Sequence, residues 1–313
     1  MNSSSTVFES VDSVISALAG ARYITDRSLA TVLYLSKHLE KPLLLEGEPG
    51  VGKTEVALVL SRLLESPLIR LQCYEGLDAA ASLYEWNYPK QLLHIRMCEQ
   101  MEIEDGHLES EIYSAPFLIR RPLLEAITGV DGSTPVLLID EIDRADEEFE
   151  AFLLEILSDF QVTIPEIGTF AAARRPHVII TSNRTRDVHD ALKRRCLYHW
   201  IEYPSFEKEY AVVLARVPGI EASFAAQITY FMQRLRNLDL LKKPGISETI
   251  DWGSALITLH RPNLDEESVR ETLGCILKYK EDLNMFSSEI WNNPEKRSSF
   301  FEPSCDGEAC AGR

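Results

Sequence analysis

An octapeptide in the first third of the chain reads Gly47-Glu48-Pro49-Gly50-Val51-Gly52-Lys53-Thr54. Glycine, four residues, glycine, lysine and serine or threonine is the pattern of a loop that cradles phosphates between a strand and a helix. Its glycines let several N–H groups point inward, and the helix start adds positive potential. Apolar residues 42–45 predict the strand and residues 53–64 the helix. We therefore expect Lys53 at the β- and γ-phosphates and Thr54 on Mg²⁺; a purely structural glycine turn is the alternative.

Short apolar runs alternate with helical patterns on both sides of this loop. Residues 136–139 form the clearest buried strand, and further strands are predicted at 68–71 and 178–181. Residues 161–177 are expected to form a hairpin around Pro165 and Gly168. The alternation predicts an α/β fold with a parallel sheet. Together with the glycine-rich loop, this arrangement resembles the αβα sandwich of the P-loop NTPases.

The sequence changes in character at Pro204-Ser205. Only helical patterns follow, at 206–216, 221–237, 247–260 and 265–283. We therefore predict an α/β domain over 1–203, a small all-helical domain over 204–284 and a loosely ordered tail over 285–313. An insertion at 78–111 is expected near the surface, with an acidic patch of Glu99, Glu102, Glu104, Asp105, Glu109 and Glu111.

Two adjacent acids, Asp140 and Glu141, directly follow the buried strand predicted at 136–139. A carboxylate at a strand end beside a phosphate loop is placed to coordinate the metal ion, which is the role expected of Asp140. Glu141 would polarise an attacking water, and a base acting on water indicates hydrolysis rather than transfer to a second metabolite. A solvated turn is the alternative for this pair.

Two further polar groups follow the strand at 178–181. Asn183 either orients the same water or contacts the γ-phosphate, or else it only caps the next turn. Lys193-Arg194-Arg195 is a basic cluster in an acidic protein. In a ring of subunits one arginine, with Arg195 preferred to Arg194, would reach the neighbour's γ-phosphate. A solvated helix end is the alternative.

Charge and composition restrict the partners. The chain has 313 residues and a formal charge of -17, from 49 Asp and Glu against 32 Lys and Arg. Such a field repels phosphate backbones and anionic lipids, which disfavours nucleic acid as the main partner. The first residues lack the pattern of a signal peptide, and no apolar run is long enough to insert into a membrane. The six cysteines are dispersed, which indicates reduced thiols. We therefore expect a cytoplasmic protein. Cys305 and Cys310 are expected in a solvated tail rather than a metal site.

Taken together, these motifs resemble the AAA+ ATPases, and the resemblance covers about residues 20–285. Within that superfamily the MoxR branch is indicated by the hairpin before Asn183 and by Asp140-Glu141-Ile142-Asp143-Arg144-Ala145. The stretch 71–78, continuing through 84–86 to 91–96, is similar to the subgroup that contains the ATPase for maturation of carbon monoxide dehydrogenase.

This resemblance implies a ring, expected to be a hexamer, that uses ATP and Mg²⁺ to remodel a client protein. It further implies a metalloenzyme client, such as a molybdenum-containing dehydrogenase, and a partner with a von Willebrand factor A domain. The insertion at 78–111 and the hairpin at 161–176 would be loops at the ring surface or pore. Many AAA+ proteins carry an arginine near the nucleotide where residues 245–252 have none. Either this contact is missing here, or another residue such as Lys243 supplies it.

Other functions stay open from the residues alone. A nucleotide-gated scaffold would bind ATP with negligible turnover. A DNA-directed AAA+ motor is opposed by the acidic balance. A small-molecule kinase is opposed by Glu141 and by the large helical domain.

Overall fold

The computed structural model describes residues 7–100, 111–130 and 132–301. Two compact units divide the described chain. The first unit runs to Ile201, and the second takes the chain from Glu202 together with the short segments Arg22–Thr25 and Glu48–Gly52. None of the described helices combines the length and apolarity needed to cross a membrane.

The described strands of the first unit are β1 (Leu43–Gly47), β2 (Leu68–Gln72), β3 (Tyr84–Trp86), β4 (Leu118–Arg120), β5 (Val136–Asp140), β6 (Gln161–Ile164), β7 (Gly168–Ala171), β8 (His177–Ser182) and β9 (Leu197–Ile201). Five of them form a parallel sheet in the order β2-β5-β8-β1-β9. Every residue of β1 and β5 is buried, as in a sheet covered on both faces. The predicted α/β fold is confirmed, and the carboxyl ends of β1, β5 and β8 share one edge.

The helices of this unit are α1 (Val11–Gly20), α2 (Arg27–Leu39), α3 (Lys53–Leu63), α4 (Ala79–Leu83), α5 (Tyr88–Gln100), α6 (Pro122–Thr128), α7 (Glu147–Asp159) and α8 (Asp190–Arg195). Asp26 and Asp146 cap α2 and α7, because each carboxylate accepts an N–H from the first turn. Phe149 and Leu153 of α7 pack into the core that also contains Ile139 of β5. This packing fixes α7 directly after the acidic strand end.

The hairpin and the insertion have defined structures where they are described. β6 and β7 pair antiparallel, with Thr163 opposite Thr169, so the hairpin is present with shorter arms than predicted. In the described part of the insertion, β3 pairs antiparallel with β4, which follows the insertion in the chain. Most of the predicted acidic patch, namely Glu102, Glu104, Asp105 and Glu109, lies outside the described residues.

The second unit contains the helices α9 (Phe206–Arg216), α10 (Ala222–Arg236), α11 (Ile246–Thr258), α12 (Glu266–Thr272), α13 (Lys280–Phe286) and α14 (Pro294–Phe301). Trp252, Phe231 and Phe286 are fully buried at its centre. A helical unit therefore follows the α/β unit, as the patterns indicate.

Two expectations for this unit are wrong. The single helix predicted at 265–283 is broken after the 3₁₀ turn Leu273–Cys275, which contains Gly274. A glycine costs a helix interior about 1 kcal/mol relative to alanine, which weakens a continuous helix there. The tail predicted to be loosely ordered over 285–313 is helical and packed over its described part, because Ile290 and Phe300 enter the same core. Its remainder, with Cys305 and Cys310, lies outside the described residues.

A buried ion pair joins three helices of the second unit. Both guanidinium Nη atoms of Arg236 donate to the carboxylate of Glu209, at 2.5 and 2.6 Å. Thr249 donates its hydroxyl to the same carboxylate at 2.6 Å, and Arg236 Nε donates to the carbonyl of Pro244 at 2.7 Å. Glu209 and Arg236 are almost without solvent contact, so removing either side chain would leave its partner buried without a counter-charge.

We expect Arg236→Met to lower the free energy of unfolding by about 3–5 kcal/mol, because it leaves the carboxylate of Glu209 buried without its counter-charge. Urea denaturation followed by circular dichroism measures this change. The matched control is Arg297→Met, which removes a more exposed pair with Glu266 and should cost less than about 1 kcal/mol. Equal losses for the two variants would contradict the interpretation.

Candidate nucleotide site

The phosphate loop follows β1 and leads into α3. Gly50 and Gly52 have φ angles of +80° and +96°, in the left-handed region that side chains with a Cβ rarely adopt. A Cβ on Gly52 would meet no atom within 4 Å, so that side of the backbone is open. Lys53 is buried and donates its ammonium to the carbonyl of Gly47 at 2.7 Å. The lysine therefore lies against the start of the loop.

Asp140 is the centre of the hydrogen bonding at this edge of the sheet. Its Oδ1 accepts from the hydroxyl of Thr54 at 3.1 Å and from the hydroxyl of Thr181 at 2.6 Å. The same Thr181 oxygen accepts the backbone N–H of Glu141 at 2.9 Å. The structure thus brings together Thr54 and Asp140, which the sequence separates by 86 residues.

Arg70 is a neighbour of Asp140 that sequence reasoning missed. Its Nη2 donates to Asp140 Oδ2 at 2.6 Å and to Gln72 Oε1 at 2.7 Å. Strand order explains the contact, since β2 lies beside β5 with Gln72 opposite Asp140. An arginine between two apolar residues of a predicted strand is the one signal that was present in the sequence.

Glu141 lies directly beyond the sheet edge. Its backbone has a φ of +57°, a left-handed conformation that is uncommon outside glycine and recurs at functional sites. The carboxylate is partly exposed and accepts from Arg144 Nε at 3.0 Å. Arg144 therefore restrains the group that the sequence identifies as the base.

A second buried acid, Asp143, holds the segment that contains Asn183. Its carboxylate accepts the N–H of Asn183 at 3.1 Å, and from Thr185 both the N–H at 2.9 Å and the hydroxyl at 2.6 Å. Asn183 follows β8 at the same edge as Asp140 and Glu141. The adjacent segment is held by Glu150, which is fully buried, pairs with Arg186 and accepts the N–H of His189 at 2.7 Å.

The two arginines of α8 have different surroundings. Arg195 donates to the carbonyl of Leu154 at 2.5 Å and to the hydroxyl of Ser158, so it is engaged on α7 of its own chain. Arg194 is exposed and has no hydrogen bond or ion pair with any described residue. The guanidinium of Arg194, unlike that of Arg195, is therefore not engaged by a described residue of its own chain.

Glu46 supports the end of β1 just before the loop. It is 3% exposed, and its Oε2 accepts the hydroxyl of Tyr198 at 3.1 Å. Burial and this hydrogen bond raise the pKa of Tyr198. Glu46 Oε1 has no hydrogen-bond partner among the described residues.

Within the second unit, the start of α11 contacts the phosphate loop directly. The carbonyl of Gly50 accepts the N–H of Ile246 at 2.9 Å, the N–H of Ser247 at 3.2 Å and the hydroxyl of Ser247 at 3.1 Å. A Cβ on Gly245 would lie 2.7 Å from Gly50 backbone atoms. An uncharged backbone contact therefore exists where an arginine was expected. The side chain of Lys243, the candidate substitute, has no hydrogen bond or ion pair with any described residue.

Three comparisons relate this chain to known proteins. Residues 42–196 match the family model of the AAA domain, dynein-related subfamily. This segment, which contains Lys53, Asp140 and Asn183, is therefore similar to an AAA domain. An uncharacterized protein of Staphylococcus epidermidis, found in two strains, is 28% identical over 228 residues, which cover 71% of this chain and 77% of that protein. The Holliday junction branch migration motor RuvB of Thermotoga maritima is similar at 16% identity and a TM-score of 0.44, over 91% of this chain and 80% of RuvB.

The residues of this site fit a nucleotide with Mg²⁺. A hydroxyl and a carboxylate 3.1 Å apart, from Thr54 and Asp140, are the hard oxygen ligands that Mg²⁺ prefers. The two left-handed glycines leave backbone N–H groups available to phosphate oxygens. When bound, Mg²⁺ would neutralise phosphate charge, with Thr54 and Asp140 holding it.

We expect Gly245→Ala to destabilise the chain by about 1–3 kcal/mol, because the new methyl group would overlap the backbone of Gly50. Denaturant unfolding measures the loss. Gly274→Ala is the matched control, since its methyl would meet nothing within 4 Å and should be neutral or stabilising. A tolerated Gly245→Ala would show that this contact is not tight.

Proposed function

We propose that this AAA+ chain hydrolyses ATP with Mg²⁺ and uses the energy to remodel a client protein. The observation that supports it is the cluster at one edge of the sheet, in which Asp140 contacts Thr54 and is followed by Glu141. An acid next to the metal-binding acid is placed to act on water.

Each side chain then has a distinct role. Glu141 accepts the proton of the attacking water, Lys53 neutralises phosphate charge, and Asn183 orients the water or contacts the terminal phosphate. Thr181 positions the pair of acids, because its hydroxyl bonds both Asp140 and the N–H of Glu141. Arg144 holds the Glu141 carboxylate in a defined direction.

The finer assignment is to the MoxR branch, with maturation or activation of a metalloenzyme as the biological role. Its support is the sequence similarity at residues 71–96 and the run from Asp140 to Ala145. We further propose a homo-hexamer in the cytoplasm, a partner with a von Willebrand factor A domain and a client such as a molybdenum-containing dehydrogenase. Purification of the full chain with and without ATP, followed by identification of proteins retained only with ATP, tests the partner and client.

Replacing the proposed base tests the hydrolytic role. We expect Glu141→Gln to lower kcat for ATP by about 100-fold or more, while the Kd for ATP stays within about threefold, because only proton abstraction is lost. Phosphate release and nucleotide titration measure the two quantities. Glu147→Gln, an exposed acid at the start of α7, is the control and should keep normal turnover.

Turnover in Glu141→Gln close to that of the unaltered chain would remove Glu141 from the mechanism. If turnover is lost but client activation persists with bound ATP, the chain is a nucleotide-gated scaffold. These outcomes separate the catalytic proposal from the remodelling proposal.

The trans role proposed for Arg194 is tested by mixing two inactive variants. Arg194→Ala subunits retain Glu141, and Glu141→Gln subunits retain Arg194, so interfaces between them contain one complete site. We expect ATPase activity to reappear on mixing, at a fraction of the activity of the unaltered ring. Arg195→Ala should chiefly lower thermal stability, because that arginine bonds α7 of its own chain. A mixture as inactive as its components would exclude a trans role for Arg194.

A further inference from the structure

A basic cleft lies in the first unit between the end of α2 and the segment that returns from β7 to β8. Its volume is about 420 Å³. Four cationic side chains line it, and they come from these two segments: Lys37, Lys41, Arg174 and Arg175. Glu40 is the only acid among its lining residues. A concentration of positive charge of this kind is unusual on a chain of formal charge -17.

Lys37 is oriented by a neutral histidine. Its Nζ lies 3.1 Å from His177 Nε2. Burial and the nearby Lys37 lower the pKa of His177 to about 4, so the ring is neutral at pH 7 and accepts a hydrogen bond from the ammonium. An ammonium has three donors, so two N–H groups of Lys37 are directed elsewhere.

The other cations are positioned but not neutralised. Arg175 stacks over the ring of Phe160 at 5.3 Å, a cation–π contact that leaves the guanidinium N–H edge available. The backbone at Lys41 is fixed because its N–H and carbonyl both bond Ser36. Neither Lys41 nor Arg174 forms an ion pair with any described residue. Arg174 also adds to the burial effect that lowers the pKa of Lys37, although Glu40 opposes that shift.

This cleft is separate from the candidate nucleotide site. His177 begins β8, whereas Thr181 and Ser182 at the other end of β8 lie at the edge occupied by Asp140. A six-residue strand is about 20 Å long. One group bound at the phosphate loop therefore does not reach the cleft.

We infer that the cleft is a second anion site, which binds a compact phosphate-bearing ligand of about the size of pyrophosphate. Guanidinium and ammonium groups that converge on one space match the several oxygens of such an anion. The lining is formed mainly by polar and charged side chains, and its described residues include no Phe, Tyr or Trp, which favours a small phosphate compound over a whole nucleotide. Because the β6–β7 hairpin returns through Arg174 and Arg175, the bound anion would fasten the base of that hairpin to α2.

Calorimetric titration of the full chain with pyrophosphate tests this inference. We expect the double variant Lys41→Gln/Arg174→Gln to weaken binding at least tenfold. Both side chains are exposed, so its thermal unfolding should match that of the unaltered chain. Lys242→Gln/Lys243→Gln removes the same charge from an exposed part of the second unit and should change the affinity less than twofold. The Lys53→Ala variant, altered in the phosphate loop, should retain the same binding event.

Amide hydrogen exchange shows where on the chain pyrophosphate binds. Pyrophosphate should slow exchange of the amides between β7 and β8 in both the unaltered chain and Lys53→Ala. Binding that Lys53→Ala abolishes and the cleft variant leaves unchanged would assign the pyrophosphate to the phosphate loop and overturn the second site. A Kd weaker than about 1 mM would overturn it as well. Neither result for the cleft depends on whether the chain hydrolyses ATP.

Discussion

The buried carboxylate of Asp140 is the group around which the candidate site is built. An ionised acid removed from water must be compensated, and here two hydroxyls and a guanidinium do so. Those three partners come from α3, β8 and β2. The hydrogen bonds to the Asp140 carboxylate therefore align β5 with its neighbours β2 and β8 and with the helix after the loop. The Thr181 hydroxyl also positions the residue after Asp140, because it accepts the backbone N–H of Glu141.

The helical unit meets a different constraint. Its buried Arg236 and Glu209 pair ties α9, α10 and the start of α11 together, and the same arginine bonds the carbonyl of Pro244 next to Gly245. Gly245 can approach Gly50 because neither residue has a Cβ. The loop is thus held by backbone hydrogen bonds rather than by an arginine, and this contact gives the second unit a direct dependence on the conformation of Gly50.

The incorrect expectations have identifiable physical origins. The helix predicted at 265–283 follows a continuous apolar period, but the period does not reveal that Gly274 breaks it. The prediction of a loose tail does not account for Phe286, Ile290 and Phe300, which complete a core whose other half lies on α10 and α11. The engagement of Arg195 could not be read from the sequence either, because its partner Leu154 is 41 residues away in the chain.

Local chemistry was sufficient to predict the phosphate loop, the buried strands, the acids that end β5 and the helical nature of residues after Pro204. Glycine positions, the spacing of apolar residues and the polar residues at strand ends are local features, each spanning a few neighbouring residues, so they can be recognised from the sequence alone. The contact of Arg70 with Asp140, the different surroundings of Arg194 and Arg195, the Gly50–Gly245 contact and the basic cleft emerged only from the folded chain. Each depends on strand order or on which segments are brought side by side, and long-range packing of that kind leaves no trace in neighbouring residues.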